Sequence, residues 1–330
     1  MTAVRISVII PAHRAEGSIG PAIASVLEQG RPDVEVIVVD DASPDATAEA
    51  ARAAAAAAPD RVHVLSLDAN AGVSAARTAG LARARGEIIA FLDADDVQLP
   101  GFLDTVDRAL TADVDAVVVG RRVRTGSQVR EEASRRQGLL TGPEAARAAM
   151  RDAITPFPWD KAFRRELLGT EPFPRGVHRF EDLAGVIVAL SRARTVRSLP
   201  APLVEYRISP GSLTWGRVPE RAERDAALGF VRTHLPPAVR EGAAQDMAVL
   251  HLLLTVLIAQ SAALSGTGAD GSRAVLSACR RDLSARVLPA ALRTSPAAGI
   301  AAALLLARPR LFAAAVRGRT RRRYGGAARG

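Results

Sequence analysis

The stretch Ile88-Ile89-Ala90-Phe91-Leu92-Asp93-Ala94-Asp95-Asp96 changes character within one residue, from five continuous apolar positions to three carboxylates in four. A short, unbroken apolar run suits a strand buried on both faces, as in a parallel sheet covered by helices. Acids crowded at the end of such a strand repel one another, and each is costly to strip of water. A hard divalent cation, which prefers oxygen ligands, removes that conflict. The same acids also suit a solvated turn that caps the next helix through Asp96.

Working outward, strand-like runs recur at Arg5–Pro11, Val34–Asp40, Val62–Leu67, Glu87–Asp93 and Asp115–Gly120. Between them lie the helix-like segments Ser18–Gln29, Asp45–Ala58, Val73–Ala84 and Pro100–Thr111. This alternation predicts an α/β fold, a Rossmann-like and mostly parallel sheet with helices on both faces. Ligands in such sheets bind beyond the carboxyl ends of the strands. Polar clusters fall there four times: Pro11-Ala12-His13-Arg14, Asp40-Asp41-Ala42-Ser43, Asn70-Ala71-Gly72 and Asp93-Ala94-Asp95-Asp96. A dinucleotide-dependent oxidoreductase is disfavoured, because the first strand leads to Pro11-Ala12-His13 and not to a Gly-x-Gly-x-x-Gly loop.

Each cluster suggests chemistry. A carboxylate at Asp40-Asp41 is an acceptor suited to the imide N–H of a uracil, and Ser43 or Asp45 suits a helix cap. Gly72 permits close backbone approach at a helix N-terminus, where anions are favoured, and Arg77 stands about one turn inside. Glu181-Asp182 reads either as a capped helix start or as a carboxylate that takes the proton of a sugar hydroxyl. Lys161 is the only lysine beside 43 arginines. Its survival suggests a site that a planar guanidinium does not fit, such as one near a diphosphate or the acceptor. His178 is placed on the acceptor side.

The ordered set resembles the family-2 glycosyltransferases of GT-A fold across about residues 5–215. Its parts are Ser7-Val8-Ile9-Ile10-Pro11, Val39-Asp40-Asp41-Ala42-Ser43, Asn70 to Arg77, Phe91 to Asp96, Trp159-Asp160-Lys161-Ala162-Phe163, Glu181-Asp182 and Tyr206-Arg207. Their order looks like bacterial enzymes that decorate wall teichoic acid and related surface polymers. The resemblance implies that Pro11, His13 and Asp41 hold the uracil, with Asn70 and Arg77 on the base or diphosphate. Asp93 would contact ribose or metal, Asp95 would be the principal Mn²⁺ or Mg²⁺ ligand, and Asp182, backed by Glu181, the general base. Trp159 and Arg207 would line the acceptor side. The sequence departs from the family where His13-Arg14 replaces a frequent Tyr-Asn and Thr78 a frequent Asn. The expected reaction is inverting transfer from a UDP-sugar to a cell-envelope glycan or polyol-phosphate. The alternatives are a lipid-linked or polysaccharide acceptor, or a non-catalytic nucleotide-sugar-binding scaffold.

Composition sets the remaining expectations. The net charge of +9 is a property of the C-terminus, since residues 308–330 hold eight arginines and no acid. The rest of the chain is nearly neutral, which argues against nucleic acid as a partner. One cysteine, Cys279, excludes an internal disulfide. The N-terminus runs straight into a strand-like segment, so a cytoplasmic start is expected. Residues 1–217 are expected to form the catalytic domain, with a nucleotide-sugar half at 1–120 and an acceptor half at 121–217. Residues 218–324 should be helical, with Gly266–Gly271 as a break and 325–330 as a disordered tail. Ala248–Leu264 is apolar but short of the ~20 residues of a membrane span, which suggests a buried or subunit-interface helix. The Arg-rich segment 308–323 suggests peripheral contact with the inner face of the cell membrane.

Overall fold

The computed structural model describes residues 3–208, 217–265 and 269–324. The proposed tail at 325–330 lies outside the described residues, as does part of the Gly266–Gly271 break, whose last residues instead open a helix at Ala269.

Strands β1 (Ile6–Ala12), β2 (Val34–Asp40), β3 (Val62–Ser66) and β4 (Ile88–Phe91) pair in parallel, in the order β3-β2-β1-β4. Their connections are α1 (Ile19–Leu27), α2 (Thr47–Ala55) and α3 (Val73–Arg83). Beyond β4 the sheet becomes mixed. The parallel order expected for Asp115–Gly120 is interrupted by β9 (Lys161–Arg164), which runs antiparallel between β4 and β6 (Ala116–Thr125). The long strand β10 (Thr195–Ile208) follows, parallel to β6 and antiparallel to the two-residue β5 (Val97–Gln98). Two further strands, β7 (Gln128–Glu132) and β8 (Gly138–Thr141), pair with β6 and β10.

Period-two alternation assigns the two faces of the sheet. On β1, Ile6, Val8 and Ile10 join the core under α1 and α4 (Phe102–Ala109), whereas Ile9 joins Phe91, Ala76 and residues of α5 (Gly142–Met150) and α6 (Glu181–Arg192). Ser7 lies among these apolar residues as a buried hydrogen-bonded post. Its Oγ donates to Glu35 Oε1 at 2.6 Å and accepts from Gly86 N at 2.8 Å. Any Cβ on Gly86 would sit 2.6 Å from the Ser7 nitrogen, so the close approach of chain to strand requires glycine.

The C-terminal helices Arg221–His234, Pro237–Arg240, Ala244–Leu264, Ala269–Asp282, Leu288–Thr294, Pro296–Ala307 and Pro309–Tyr324 follow. The first of them share a core with the sheet: Leu228, Val231, Leu250 and Leu254 pack with α5 and α6 residues. The last build a core of their own around Val256, Ile258, Leu276, Cys279, Leu305 and Phe312. Helix Ala244–Leu264 faces both. It is longer than expected, 21 residues, because Ala244 to Met247 form its first turn, so it has the length and apolarity to cross a membrane. Asp246 in that turn is 2% exposed and is tied to Arg151 and Arg147. With core on two sides, the helix occupies the interior of this bundle.

Candidate active site

Parallel pairing brings the ends of β1, β2 and β4 to one rim, and the start of α6 meets them there. At the centre is Arg77, on α3 and 1% exposed. Its Nη1 donates to Asp182 Oδ1, and its Nη2 donates to Asp93 Oδ1 at 3.0 Å. The guanidinium lies 5.0 Å from the ring centre of Phe173 and 6.0 Å from that of Phe91, and these two rings meet edge to face. Burial alone would depress the Arg77 pKa, but Asp182, Asp93 and Glu181 outweigh it and hold the group charged. The expectation that Arg77 reaches a phosphate or base is therefore corrected: its guanidinium is enclosed and bridges the strand-end acid to the α6 acid.

The surrounding carboxyls are perturbed by the same enclosure. Burial pushes Asp93 up to about 6, against the pull of Arg77 and with further push from Asp182 and Asp95. Burial and the neighbouring Asp182 push Glu181 up to about 8. Asp96 is raised well above the usual range by burial and by Asp93 and Asp95. Asp95 is open to solvent, yet the protein mass around its recess still desolvates it and raises its pKa. Asp96 does not cap a helix. Its Oδ1 accepts from Arg207 N at 2.9 Å, and α4 begins only after β5, with Gly101 at its cap. Likewise no side chain caps α6. Phe180 precedes it with φ +74°, a strained left-handed backbone that starts the helix so that Glu181 and Asp182 stand in its first turn.

The loops at the ends of β1 and β2 are knitted by the first two rim clusters. Both oxygens of Asp41, 3% exposed, accept backbone N–H groups, from Ala71 at 2.7 Å and Gly72 at 2.8 Å. This carboxylate shapes the Asn70-Ala71-Gly72 loop, a role that the sequence reading did not assign to it. Gly72 has φ +84° and opens α3. His13 is exposed, its Nδ1 3.0 Å from Asp41 O and 3.1 Å from Asn70 Nδ2, so His13 and Asn70 meet at an open edge. Pro11 is buried in β1 opposite Val39. His178 is exposed across from Gly72, with its ring 3.7 Å from where a Cβ there would stand.

Lys161 and Trp159 are not where a ligand reaches. Lys161 is 0% exposed, and its three ammonium N–H groups are shared among four acceptors, Thr155 O at 2.8 Å, Thr155 Oγ1 at 2.9 Å, Phe157 O at 2.7 Å and Asp160 Oδ1 at 2.5 Å. A compact tetrahedral head satisfies these converging acceptors where a planar fork does not, which explains the lone lysine without any donor contact. Trp159, 1% exposed, belongs to a three-ring cluster with Phe157 at 5.0 Å and Tyr206 at 5.3 Å, and those two rings lie 6.2 Å from each other. It anchors the 155–160 segment from within. Arg207 stays partly exposed, with Nε 3.1 Å from Glu205 Oε1. Phe173, the floor under Arg77, escaped sequence reading. Its trace is Gly185, in the apolar run of α6, where a Cβ would come within 2.2 Å of the Phe173 ring.

The donor set fits a hard cation in a particular way. Asp96 Oδ2 is buried without a partner, and Asp93, Asp95 and Asp96 suffer from one another's charge. Among the described residues, no three carboxylate, imidazole or thiol groups converge on one point. Mg²⁺-like ions are commonly held by one or two carboxylates, with phosphate oxygens and water completing the shell. Solvent-open Asp95 suits that arrangement.

Residues 7–170 match the family model described as Glycosyl transferase family 2. The chain belongs to glycosyl transferase family 2. As a family-2 chain it is 32% identical over 236 residues to the uncharacterized glycosyltransferase EpsJ of Bacillus subtilis (strain 168), covering 68% of this chain and 66% of EpsJ. It is 41% identical over 91 residues to the putative teichuronic acid biosynthesis glycosyltransferase TuaG of the same organism, covering 28% of this chain and 36% of TuaG. The chain spans just under two thirds of the length of EpsJ and similar curated relatives. Among solved structures, S. aureus TarS 1-349 in complex with UDP superposes with a TM-score of 0.64 at 21% identity, over 96% of this chain and 92% of that one. The fold is thus the expected GT-A-like α/β sheet, mixed beyond β4, with a helical C-terminal region.

Proposed function

We propose that this chain transfers a sugar from a UDP-sugar to a hydroxyl of a cell-envelope polymer or glycan, with inversion at the anomeric carbon. The observation that carries the reading is the bridge at the rim, where buried Arg77 holds strand-end Asp93 and α6 Asp182 in one recess beside solvent-open Asp95. UDP as the donor nucleotide is supported by the likeness to UDP-bound TarS, and an envelope polymer as acceptor by the likeness to TuaG.

In this reading Asp182, with 20% of its side chain exposed, accepts the acceptor hydroxyl's proton. The freed oxygen pair forms the new bond at the anomeric carbon, while the bond to the donor diphosphate breaks and leaves its electron pair on phosphate oxygen. Arg77 positions the base and keeps it from turning away. The open edge of His13 and Asn70 receives the nucleobase, and the α3 N-terminus at Gly72 faces anionic oxygens. A Mn²⁺ or Mg²⁺ held by Asp95, with Asp93 near it, would supply charge neutralisation for the leaving diphosphate.

The test is Asp182→Asn. Asn still accepts the Arg77 hydrogen bond, so UDP affinity measured by calorimetry should be preserved. Transfer to a hydroxyl acceptor should fall ~10²–10⁴-fold, the usual worth of a positioned base. Near-normal turnover would remove Asp182 from the role. Equal binding with no turnover in either protein, across acceptors, would favour the scaffold reading.

A further inference from the structure

We infer that the C-terminal helices form a docking face for an anionic lipid bilayer, and that its centre is the charge-free helix Pro296–Ala307 rather than the arginine tail alone. No acidic residue occurs from Leu283 to the C-terminus, a stretch that carries ten arginines. Helix Pro296–Ala307 contains no polar side chain, yet one side of it is open. Gly299, Ala302 and Leu305 turn inward. On the opposite side stand Pro296, Ala297, Ile300 and Ala307, exposed, with Ile300 at 61%. Arg293 and Arg308 flank this helix and are exposed.

The next helix, Pro309–Tyr324, repeats the design. Phe312 and Ala313 are buried, whereas Leu311 is 56% exposed. Leu311, Ala314, Ala315 and Gly318 form an outward apolar strip with Arg310 and Arg317 on one flank and Arg319 on the other. Leu292, in the preceding helix, is 42% exposed. Of the six large apolar side chains exposed among the described residues, Leu292, Ile300 and Leu311 belong to these three consecutive helices. No carboxylate among the described residues pairs with Arg293, Arg308, Arg310, Arg317 or Arg319. An apolar strip bordered by arginines without carboxylate partners matches a bilayer interface, where acyl chains receive the strip and anionic headgroups the cations. A water-soluble anionic polymer matches the arginines but leaves Ile300 and Leu311 unexplained.

The experiment is sedimentation of the full chain with vesicles of equal parts phosphatidylglycerol and phosphatidylcholine, beside phosphatidylcholine alone. The wild type should bind the anionic vesicles and lose binding as salt rises. Ile300→Asp with Leu311→Asp removes two apolar anchors from exposed positions. It should weaken partitioning ~100-fold, at roughly tenfold per side chain withdrawn from the interface. Arg308→Gln with Arg310→Gln should weaken it by a smaller factor, and circular dichroism should show all variants folded. Equal sedimentation of wild type and the double aspartate variant overturns the inference. So does a wild-type dimer that this variant dissolves with no vesicle binding, because a second copy then covers the face. Binding to soluble polyphosphate but not to vesicles overturns it as well.

Discussion

Replacing Arg77 with methionine isolates the role of the buried bridge. Methionine keeps much of the apolar stem over Phe91 and Phe173 but removes the hydrogen bonds to Asp93 and Asp182. Breaking a buried pair by deleting one partner costs about 3–5 kcal/mol, chiefly from the charge left behind. Here two carboxylates are left behind, but their side chains are 29% and 20% exposed, so water recovers part of the loss. The expected cost is about 3 kcal/mol at pH 7. It should also depend on pH. Without the guanidinium, Asp93, already up to about 6 beside Arg77, rises further above its unfolded value. A carboxyl raised on folding favours the native state below its unfolded pKa and loses that contribution as pH rises through its folded pKa. The variant's deficit should therefore shrink toward pH 5 and grow toward pH 8. Urea unfolding across that range, read as midpoint and slope, measures it. A deficit under 1 kcal/mol, or one that does not change between pH 5 and pH 8, would refute the bridge as an electrostatic element.

Three further outcomes follow from the same geometry. Asp95→Asn should leave the fold intact and abolish the Mn²⁺-dependent gain in UDP affinity, measured by calorimetry with and without the ion; an unchanged gain removes Asp95 from the metal site. Glu181, raised to about 8, contributes stability that is present below its unfolded pKa and lost as pH rises through about 8. Glu181→Gln should accordingly flatten the urea midpoint between pH 5 and pH 9, and parallel curves for variant and wild type would exclude this carboxyl as the cause. Lys161→Arg should cost about 2–4 kcal/mol, by crowding a fully buried site and misaligning its acceptors. UDP affinity should not move, and a selective loss of affinity at unchanged stability would restore Lys161 to the donor site.

The parallel half of the sheet was legible because each strand is a short apolar run between turn residues, and β2 is found with the bounds read from its pattern. The mixed half was less so. Strand β9 is only four residues, and what places it between β4 and β6 is pairing across more than forty residues of chain, which no local pattern records. For the site, sequence identified Asp93, Arg77, Glu181 and Asp182 as candidates but assigned Arg77 outward, to a ligand. Residue type alone does not distinguish an arginine that meets phosphate from one that meets two carboxylates over aromatic rings. The loop-shaping bonds of Asp41 were hidden in the same way, since the backbone N–H groups that meet it belong to a loop thirty residues away.

The enclosure of Lys161 has a practical side. The chain's only side-chain amine is shut inside the protein behind Thr155, Phe157 and Asp160. Amine-directed reagents therefore meet no lysine on the native surface, and immobilisation or dye coupling through lysine fails unless the fold opens. Once β9 parts from the 155–160 segment, a single site becomes reactive. The rate at which an acylating reagent marks Lys161 thus clocks opening events at the boundary between the two halves of the sheet, with no engineered label and no competing lysine to mask the signal.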